Sequence, residues 1–177
     1  MVPANTGSTP RVAGVLNNPL SPMFKWLGIS ALVLVLDQLT KRLAESALTY
    51  AEPVPVFPSF NLTLLYNRGA AFSFLSDAGG WQRWFFVCVS VVASVALLFW
   101  LYRLKPHQRL LAVALALVLG GAVGNLVDRL WLGHVVDFIQ VYYRSFYWPA
   151  FNIADSAITV GAVLLVWDAL FHKHRED

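Results

Sequence analysis

The chain has 177 residues, of which 58% are hydrophobic and only 13% are charged, with a formal net charge of +3. A soluble domain carries roughly 45–50% apolar and about 25% charged residues. The composition therefore excludes an ordinary soluble domain and favours one compact membrane domain. Because no dense run of Lys and Arg interleaves with aromatic residues, nucleic acid is not an expected partner.

Four stretches are apolar enough to cross a bilayer as helices, which takes about 20 residues each. They are Met23–Leu39, Trp84–Leu101, Leu110–Leu126 and Ile153–Phe171. Residues 1–22 are rich in Pro, Asn, Ser, Thr and Gly and predict a mobile cytoplasmic tail. Residues 172–177 predict a second, shorter cytoplasmic tail. Residues 23–171 then form a single membrane domain.

The first stretch also has the short apolar core of a signal peptide, followed by the small-residue pattern Ala44-Glu45-Ser46. Asp37, Lys41 and Arg42 separate the core from that pattern, so we expect a retained anchor. Cys88 is the only cysteine and lies inside an apolar run. We expect it to be a small buried side chain.

The connections before the second and fourth helices predict a small sheet. Residues 57–74 mix aromatic and β-branched residues with polar ones, which is typical of strands. Pro53, Pro55 and Pro58 favour edge strands or an irregular lead-in. Residues 133–148 alternate in part. We expect this sheet to lie on the membrane surface among Trp and Tyr side chains of an interfacial belt.

Cationic residues in the connections predict the orientation. Arg103, Lys105 and Arg109 fill the tight link between the second and third helices. Four crossings place this link on the same side as both termini, and that side is then cytoplasmic. The sheet and the polar ends of the third and fourth helices then lie on the outer face, which is the periplasmic side of the inner membrane in a Gram-negative cell.

Polar residues cluster where a membrane protein rarely tolerates them. Asp128, Asp137 and Asp155 lie around the third and fourth stretches, and Asn125 and Asn152 each precede one aspartate by three residues. Ionisable groups at membrane depth are costly and tend to mark functional sites. Two carboxylates brought together there suggest hydrolysis by an aspartate pair.

Local sequence distinguishes two of the aspartates. Asp137 lies among valines, Phe138 and an isoleucine, so desolvation should raise its pKa. Asn152 is a good N-cap for the fourth helix, which places Asp155 at the positive end of the helix dipole and favours its ionised form. Alternatively, Asn152 and Asp155 form only a start signal for the fourth helix, without a catalytic role. Two carboxylates whose pKa values are pushed apart suit an aspartic protease.

Three other patterns belong to the predicted site. Gly120 and Gly124 let a neighbouring helix approach closely, and Asn125, Asp128 and Arg129 follow them, with Arg129 able to pair with a carboxylate. Asp37 and Lys41 have the spacing of a helical ion pair. Asn67 stands where it could reach a substrate backbone, and Gly69 permits a turn there.

Other kinds of active site fit poorly. The sequence holds neither HExxH nor GxSxG. A metal held by Asp128, His134 and Asp137 is conceivable, but no recognised ligand spacing supports it. His134 is more often an interfacial or hydrogen-bonded residue than a ligand.

The combined motifs resemble those of the lipoprotein signal peptidases, the type II signal peptidases of bacterial membranes, over roughly residues 24–171. The matching motifs are Asp37-Gln38 with Lys41, Asn67-Arg68-Gly69-Ala70-Ala71-Phe72, Gly124-Asn125-Leu126-Val127-Asp128-Arg129, Val136-Asp137-Phe138 and Phe151-Asn152-Ile153-Ala154-Asp155-Ser156. The resemblance implies four transmembrane helices, an extracytoplasmic sheet cradle and a short interfacial helix.

The resemblance also implies a function and a site. Asp137 and Asp155 would be the catalytic dyad of an aspartic endopeptidase that cuts a prolipoprotein just before its diacylglyceryl-modified cysteine. The supporting residues would be Asn67, Asn125, Asp128, Arg129 and Asn152, with Asp37 and Lys41 beside them. The family needs no metal or nucleotide, so we expect no cofactor, and globomycin blocks it. We expect a monomer in contact with membrane lipid.

Two other functions remain open as hypotheses. A small proton-coupled transporter could use the same aspartates as a relay, although we see no internal repeat of the kind many transporters have. A membrane assembly factor without enzymatic activity is the other.

Overall fold

The computed structural model describes residues 20–69 and 80–171, and four long helices dominate this part of the chain. They are α1 (Leu20–Ala47), α2 (Trp81–Arg103), α3 (Arg109–Trp131) and α4 (Ile153–Phe171). All four are long and apolar enough to cross a membrane, as predicted. The predicted tails lie outside the described residues, except that residues 20–22 already belong to α1.

The first helix is longer than the sequence predicted. It continues past Leu39 to Ala47 and includes Asp37 and Lys41. The hydropathy pattern ends earlier because it counts these charges as exposed to lipid. Both side chains are instead buried against the other helices.

Helix α3 lies at the centre of the bundle and packs against each of the other three helices. In its apolar stretch 61% of the residues are buried, against 17% in each of the others. Alanines and glycines supply much of its buried surface. Small side chains allow close helix contacts, which is how membrane helices pack without a hydrophobic driving force between them.

The predicted glycine seam is confirmed. A Cβ on Gly120 would lie 2.8 Å from the Ser30 carbonyl oxygen, and one on Gly124 would lie 2.6 Å from Asp37 Oδ2. Both glycines therefore face α1. A hydrogen bond from Ser30 Oγ to the Ala116 carbonyl, 2.8 Å long, joins the same two helices.

A four-stranded antiparallel sheet closes one end of the bundle. Its strands, in spatial order, are β1 (Val54–Phe57), β2 (Phe60–Asn67), β3 (Val135–Tyr143) and β4 (Phe146–Tyr147). The prolines correctly predicted an edge strand, since β1 contains Pro55 and pairs with β2 alone. The register of β2 and β3 shifts between the pairs Leu62–Ile139 and Leu65–Asp137.

The central strands come from different connections, β2 from α1–α2 and β3 from α3–α4. Their pairing therefore brings both polar connections to the same end of the bundle. Phe151 is bridged to Ile139, which ties the start of α4 to this sheet. The expected short interfacial helix has no counterpart in residues 20–69 and 80–171.

Apolar side chains point outward over much of the surface. The expectation that Cys88 is buried was wrong, because it is exposed on α2. Val92, on the same helix, is 69% exposed. In a membrane domain an apolar run faces lipid as readily as protein. Near the sheet, Trp84, Trp131 and Trp148 are also exposed, as an interfacial aromatic belt requires.

We expect Gly124→Ala to lower stability by about 1–3 kcal/mol, the usual cost of adding a methyl group to a tightly packed contact. Asp37 cannot move aside freely, because Lys41 and the backbone of α4 hold its carboxylate. Thermal unfolding in detergent would measure the loss.

The matched control is Gly28→Ala in α1, where a Cβ meets nothing within 4 Å. That variant should be as stable as the parent protein or slightly more stable. Equal melting temperatures for the two variants would show that the α1–α3 contact is not tight.

Candidate active site

Lys41 lies at the centre of a buried polar cluster. Its Nζ is 2.8 Å from Asp37 Oδ2 and 2.8 Å from Asp128 Oδ2, and it donates to Asn125 Oδ1 at 3.0 Å. An ammonium group has three N–H donors, so each one has an oxygen partner. The Lys41 side chain is 2% exposed. The predicted Asp37–Lys41 ion pair is therefore confirmed, with Asp128 as a second carboxylate on the same cation.

The two carboxylates beside Lys41 accept hydrogen bonds that connect the cluster to other elements. Asp37 Oδ1 accepts from the Ala154 amide at 2.9 Å, at the first turn of α4. Asp128 Oδ1 accepts from Gln38 Nε2 at 2.8 Å, and Oδ2 accepts from the Val136 amide at 3.2 Å. Val136 directly precedes Asp137, so α1, α3, α4 and β3 are joined through one buried charge network.

The start of α4 has the capping geometry that the sequence predicted. Asn152 Oδ1 accepts from the Asp155 amide at 2.9 Å, and Asp155 Oδ2 accepts from the Asn152 amide at 3.3 Å. This reciprocal pair is a capping box. The same Asn152 side chain donates from Nδ2 to Asp137 Oδ1 at 2.7 Å. One residue therefore both begins the helix and contacts the second aspartate.

Amide groups hold both aspartates in place. Asp137 Oδ2 accepts from Asn67 Nδ2 at 3.1 Å, and Asp155 Oδ1 accepts from Asn125 Nδ2 at 2.7 Å. Together with Asn152, these bonds give each carboxylate a donor on both oxygens. Asn67 was predicted to reach a substrate backbone, but its side chain contacts Asp137 and accepts from the Gly69 amide.

The environment of Asp137 changes its acidity. Burial raises the pKa of Asp137 to about 7, and the negative charge of Asp155 acts in the same direction. The hydrogen bonds from Asn67 and Asn152 stabilise the ionised form and oppose the rise. The direction is the one predicted from the apolar residues that flank Asp137.

Asp137 and Asp155 face one cavity of about 1170 Å³. Its walls come from β2, β3, the segment that leads into α4, and the first turns of α4. Among the residues that line it are Tyr50, Tyr66, Arg68, Gln140, Tyr147, Trp148, Ile158 and Val160. Two carboxylates, one of them readily protonated near neutral pH, therefore meet at a space large enough for a peptide segment.

The sequence model described as signal peptidase (SPase) II matches residues 29–171 of this chain. The chain belongs to the signal peptidase II family. A protein named lipoprotein signal peptidase from Acinetobacter baumannii is 60% identical over 146 residues, which cover 82% of this chain and 83% of that protein. One of the same name from Pseudomonas putida is 56% identical over 165 residues, covering 90% and 96%.

Two solved structures share the fold. A bacterial membrane enzyme determined by the in meso method at 2.3 Å superposes with a TM-score of 0.77 and 30% identity, covering 87% of this chain and 94% of that one. A second, at 1.9 Å, gives 0.72 and 31%, covering 85% and 94%. Neither these structures nor the family match supports a transporter.

In this member of the signal peptidase II family, the predicted pairing of Arg129 with a carboxylate is wrong. Arg129 forms no ion pair with a carboxylate within the described residues. Its guanidinium instead donates to the Gly69 and Asn125 carbonyls at 3.2 and 3.4 Å and lies 5.1 Å from the ring of Phe86. The nearby Asp128 is paired with Lys41, and Arg129 binds backbone oxygens.

Sequence reasoning gave no role to two residues of the site. Gln38 holds Asp128, and only its place beside Asp37 drew attention to it. Arg83 donates to the Arg129 and Leu130 carbonyls, each at 2.8 Å, and so caps the end of α3. Nothing in its local sequence indicated this contact, because it joins the start of α2 to the end of α3, 46 and 47 residues apart in the chain.

His134 stands apart from the carboxylates. Its ring lies 4.3 Å from that of Tyr66, and burial lowers its pKa. In the part of the chain that the structure describes, no three His, Cys, Asp or Glu residues are grouped to hold a metal ion. The conceivable metal site of Asp128, His134 and Asp137 is therefore not formed there.

We expect Lys41→Met to destabilise the protein by about 3–5 kcal/mol, because it leaves buried carboxylates without their cation. Asp37 and Asp128 are 0% and 2% exposed, so water cannot reach their carboxylates to stabilise the negative charge. Thermal unfolding in detergent would measure the effect.

Arg42→Met is the matched control. Arg42 is the next residue in the same helix, and its ion pair with Glu45 is 53% exposed on the arginine side. Pairs of this kind contribute about 1 kcal/mol or less. If both variants melted at the same temperature, the central role of Lys41 would be refuted.

Proposed function

We propose that this protein is a membrane aspartic endopeptidase that removes signal peptides from prolipoproteins, with Asp137 and Asp155 as its catalytic pair. The observation that carries the proposal is the position of Asn152, which contacts both carboxylates at the wall of one cavity. Membership of the signal peptidase II family supports the reaction and the substrate class.

In the proposed reaction Asp137 begins protonated and Asp155 begins ionised. The capping bond and the dipole of α4 stabilise negative charge on Asp155. A water between the carboxylates gives a proton to Asp155 as its oxygen attacks the scissile carbonyl carbon. Asp137 gives its proton to the carbonyl oxygen, which yields a neutral tetrahedral diol.

The second half of the reaction restores both groups. The C–N bond breaks, and the departing nitrogen takes the proton held by Asp155. One hydroxyl of the diol returns a proton to Asp137 as the new carboxylic acid forms. No cofactor or metal takes part in these proposed steps.

The supporting residues have separate proposed tasks. Asn67, Asn125 and Asn152 orient the two carboxylates through the hydrogen bonds described above. Lys41, Asp37 and Asp128 hold α1, α3, α4 and β3 in register. Arg129 donates to the carbonyl oxygen of Gly69, two residues after Asn67, and so holds this part of the chain in place.

We place the scissile bond just before a diacylglyceryl-modified cysteine. The pair lies where the sheet meets the end of the bundle, so the acyl chains of the substrate can remain in the bilayer while the peptide enters the cavity. Globomycin-type inhibitors would occupy the same space. Both aspartates belong to one chain, so a monomer suffices.

The orientation is also proposed. Lys25, Arg103, Lys105 and Arg109 lie at the end of the bundle opposite the sheet, and the positive-inside rule makes that end cytoplasmic. Both termini are then cytoplasmic, and the pair faces the periplasm from the inner membrane. We also propose that residues 23–171 form a single membrane domain, which α1 extends at its start to Leu20, between two tails.

We expect Asp137→Asn and Asp155→Asn each to reduce cleavage by about 10²–10⁴-fold or more, since each removes a proton-transfer group. Asparagine keeps a hydrogen-bonding oxygen, so both variants should fold. The assay uses the full chain in lipid with a diacylglyceryl prolipoprotein and should be indifferent to chelator.

Asp168→Asn is the control, because Asp168 lies near the other end of α4. It should cleave at the parent rate. Full activity in either variant of the pair would overturn the assignment.

We expect cleavage to be fast below neutral pH and to fall as pH rises through about 7, because Asp137 must start protonated and its pKa lies there. The Asn67→Ala substitution removes a hydrogen bond that favours ionised Asp137. It should therefore raise the pKa of Asp137 and move this falling limb of the pH profile to higher pH. The measurement is kcat/KM against pH. Asn61→Ala, on the same strand, should leave the limb in place.

A further inference from the structure

Arg68 is the only cation that lines the cavity shared by Asp137 and Asp155, among the residues described. It lies directly after β2, next to Asn67, and is exposed. Within the described part of the chain it forms neither an ion pair nor a hydrogen bond. Arg83 and Arg129, at the same end of the bundle, are instead bound to backbone carbonyls.

The elements that line the cavity differ in character. Ile158 and Val160, in the second turn of α4, line it from a helix long enough to cross the membrane. Tyr50, Tyr66 and Arg68 line the part that belongs to the sheet and its flanking chain, since Tyr50 precedes β1, Tyr66 lies in β2 and Arg68 follows β2. Of the two catalytic carboxylates of the proposed function, Asp137 belongs to the sheet and Asp155 to α4.

A prolipoprotein has the same asymmetry about its cleavage site. The signal peptide side is a continuous apolar segment, which suits the wall formed by α4. The mature side continues as polar chain into water, which suits the side lined by Tyr50 and Arg68. This direction of binding rests on the proposed function.

We propose that Arg68 is a specificity determinant that binds an acidic side chain of the substrate on the mature side of the scissile bond. A guanidinium carries a fixed positive charge and forms paired hydrogen bonds with a carboxylate. Arg68 has no carboxylate partner of its own among the described residues, so binding a substrate acid breaks no ion pair. Basic residues at the same place in the substrate are repelled.

The test uses three diacylglyceryl prolipoproteins that differ only in the residues just after the lipidated cysteine, which are acidic, neutral or basic. For the parent enzyme in zwitterionic nanodiscs, kcat/KM should fall in that order, by about tenfold overall, the size expected of one exposed ion pair replaced by one repulsion. High salt should reduce the difference.

Charge reversal gives the decisive result. Arg68→Glu should invert the order so that the basic substrate is cleaved best, and Arg68→Lys should keep the parent order. Arg144→Glu is the matched control, because Arg144 is an exposed cation on the same sheet that does not line the cavity. It makes the same change in net charge and should leave the order unchanged.

Two outcomes would overturn the inference. One is the same order in Arg68→Glu as in the parent. The other is an effect of Arg68→Glu that depends on adding anionic lipid and not on the substrate, which would assign the guanidinium to a phosphate headgroup. Failure of the proposed function looks different, since no substrate is then cleaved or Asp137→Asn cleaves all three.

Discussion

The contact of the Lys41 ammonium with Asp37, Asp128 and Asn125 is the interaction on which the rest of the structure depends. A buried charge is tolerated only when it is paired and hydrogen-bonded. Each oxygen partner of Lys41 belongs to a residue with a further contact to α4, β3 or an aspartate of the site. The requirement to neutralise one buried cation therefore fixes the relative positions of three helices and the strand that carries Asp137.

Close packing makes this charge network possible. The carboxylate of Asp37 fits against α3 only because position 124 lacks a side chain, and Gly121 leaves comparable room for α4 at Ala154. Larger residues at these positions would separate the helices and admit lipid or water between the charges. The small residues of α3 therefore act on the site indirectly, by setting the distances over which the polar groups meet.

The proposed catalytic pair works against stability. Asp137 is buried beside a second carboxylate, so its ionised form is disfavoured, which is expressed as a pKa of about 7. Since that pKa exceeds the unfolded value, this residue contributes less to stability as pH rises from acidic values through 7. Four amide donors limit the cost, and Asn152 supplies two of them while it also begins α4. The same bonds that offset the burial of charge fix the positions of both carboxylates at the cavity wall.

The sequence by itself determined the four spanning helices, the edge position of β1, the glycine seam and the cap of α4. Each of these is set by neighbours within a few residues, through hydropathy, ring constraint or local hydrogen bonds. Motif order alone also indicated the family. Tertiary structure decided the length of α1, the exposure of Cys88 and the partners of Arg129. It also decided that Lys41 takes two carboxylates and that Asn67 contacts Asp137. These contacts join positions up to 87 residues apart in the chain, as between Lys41 and Asp128, and only packing of the helices brings such groups together.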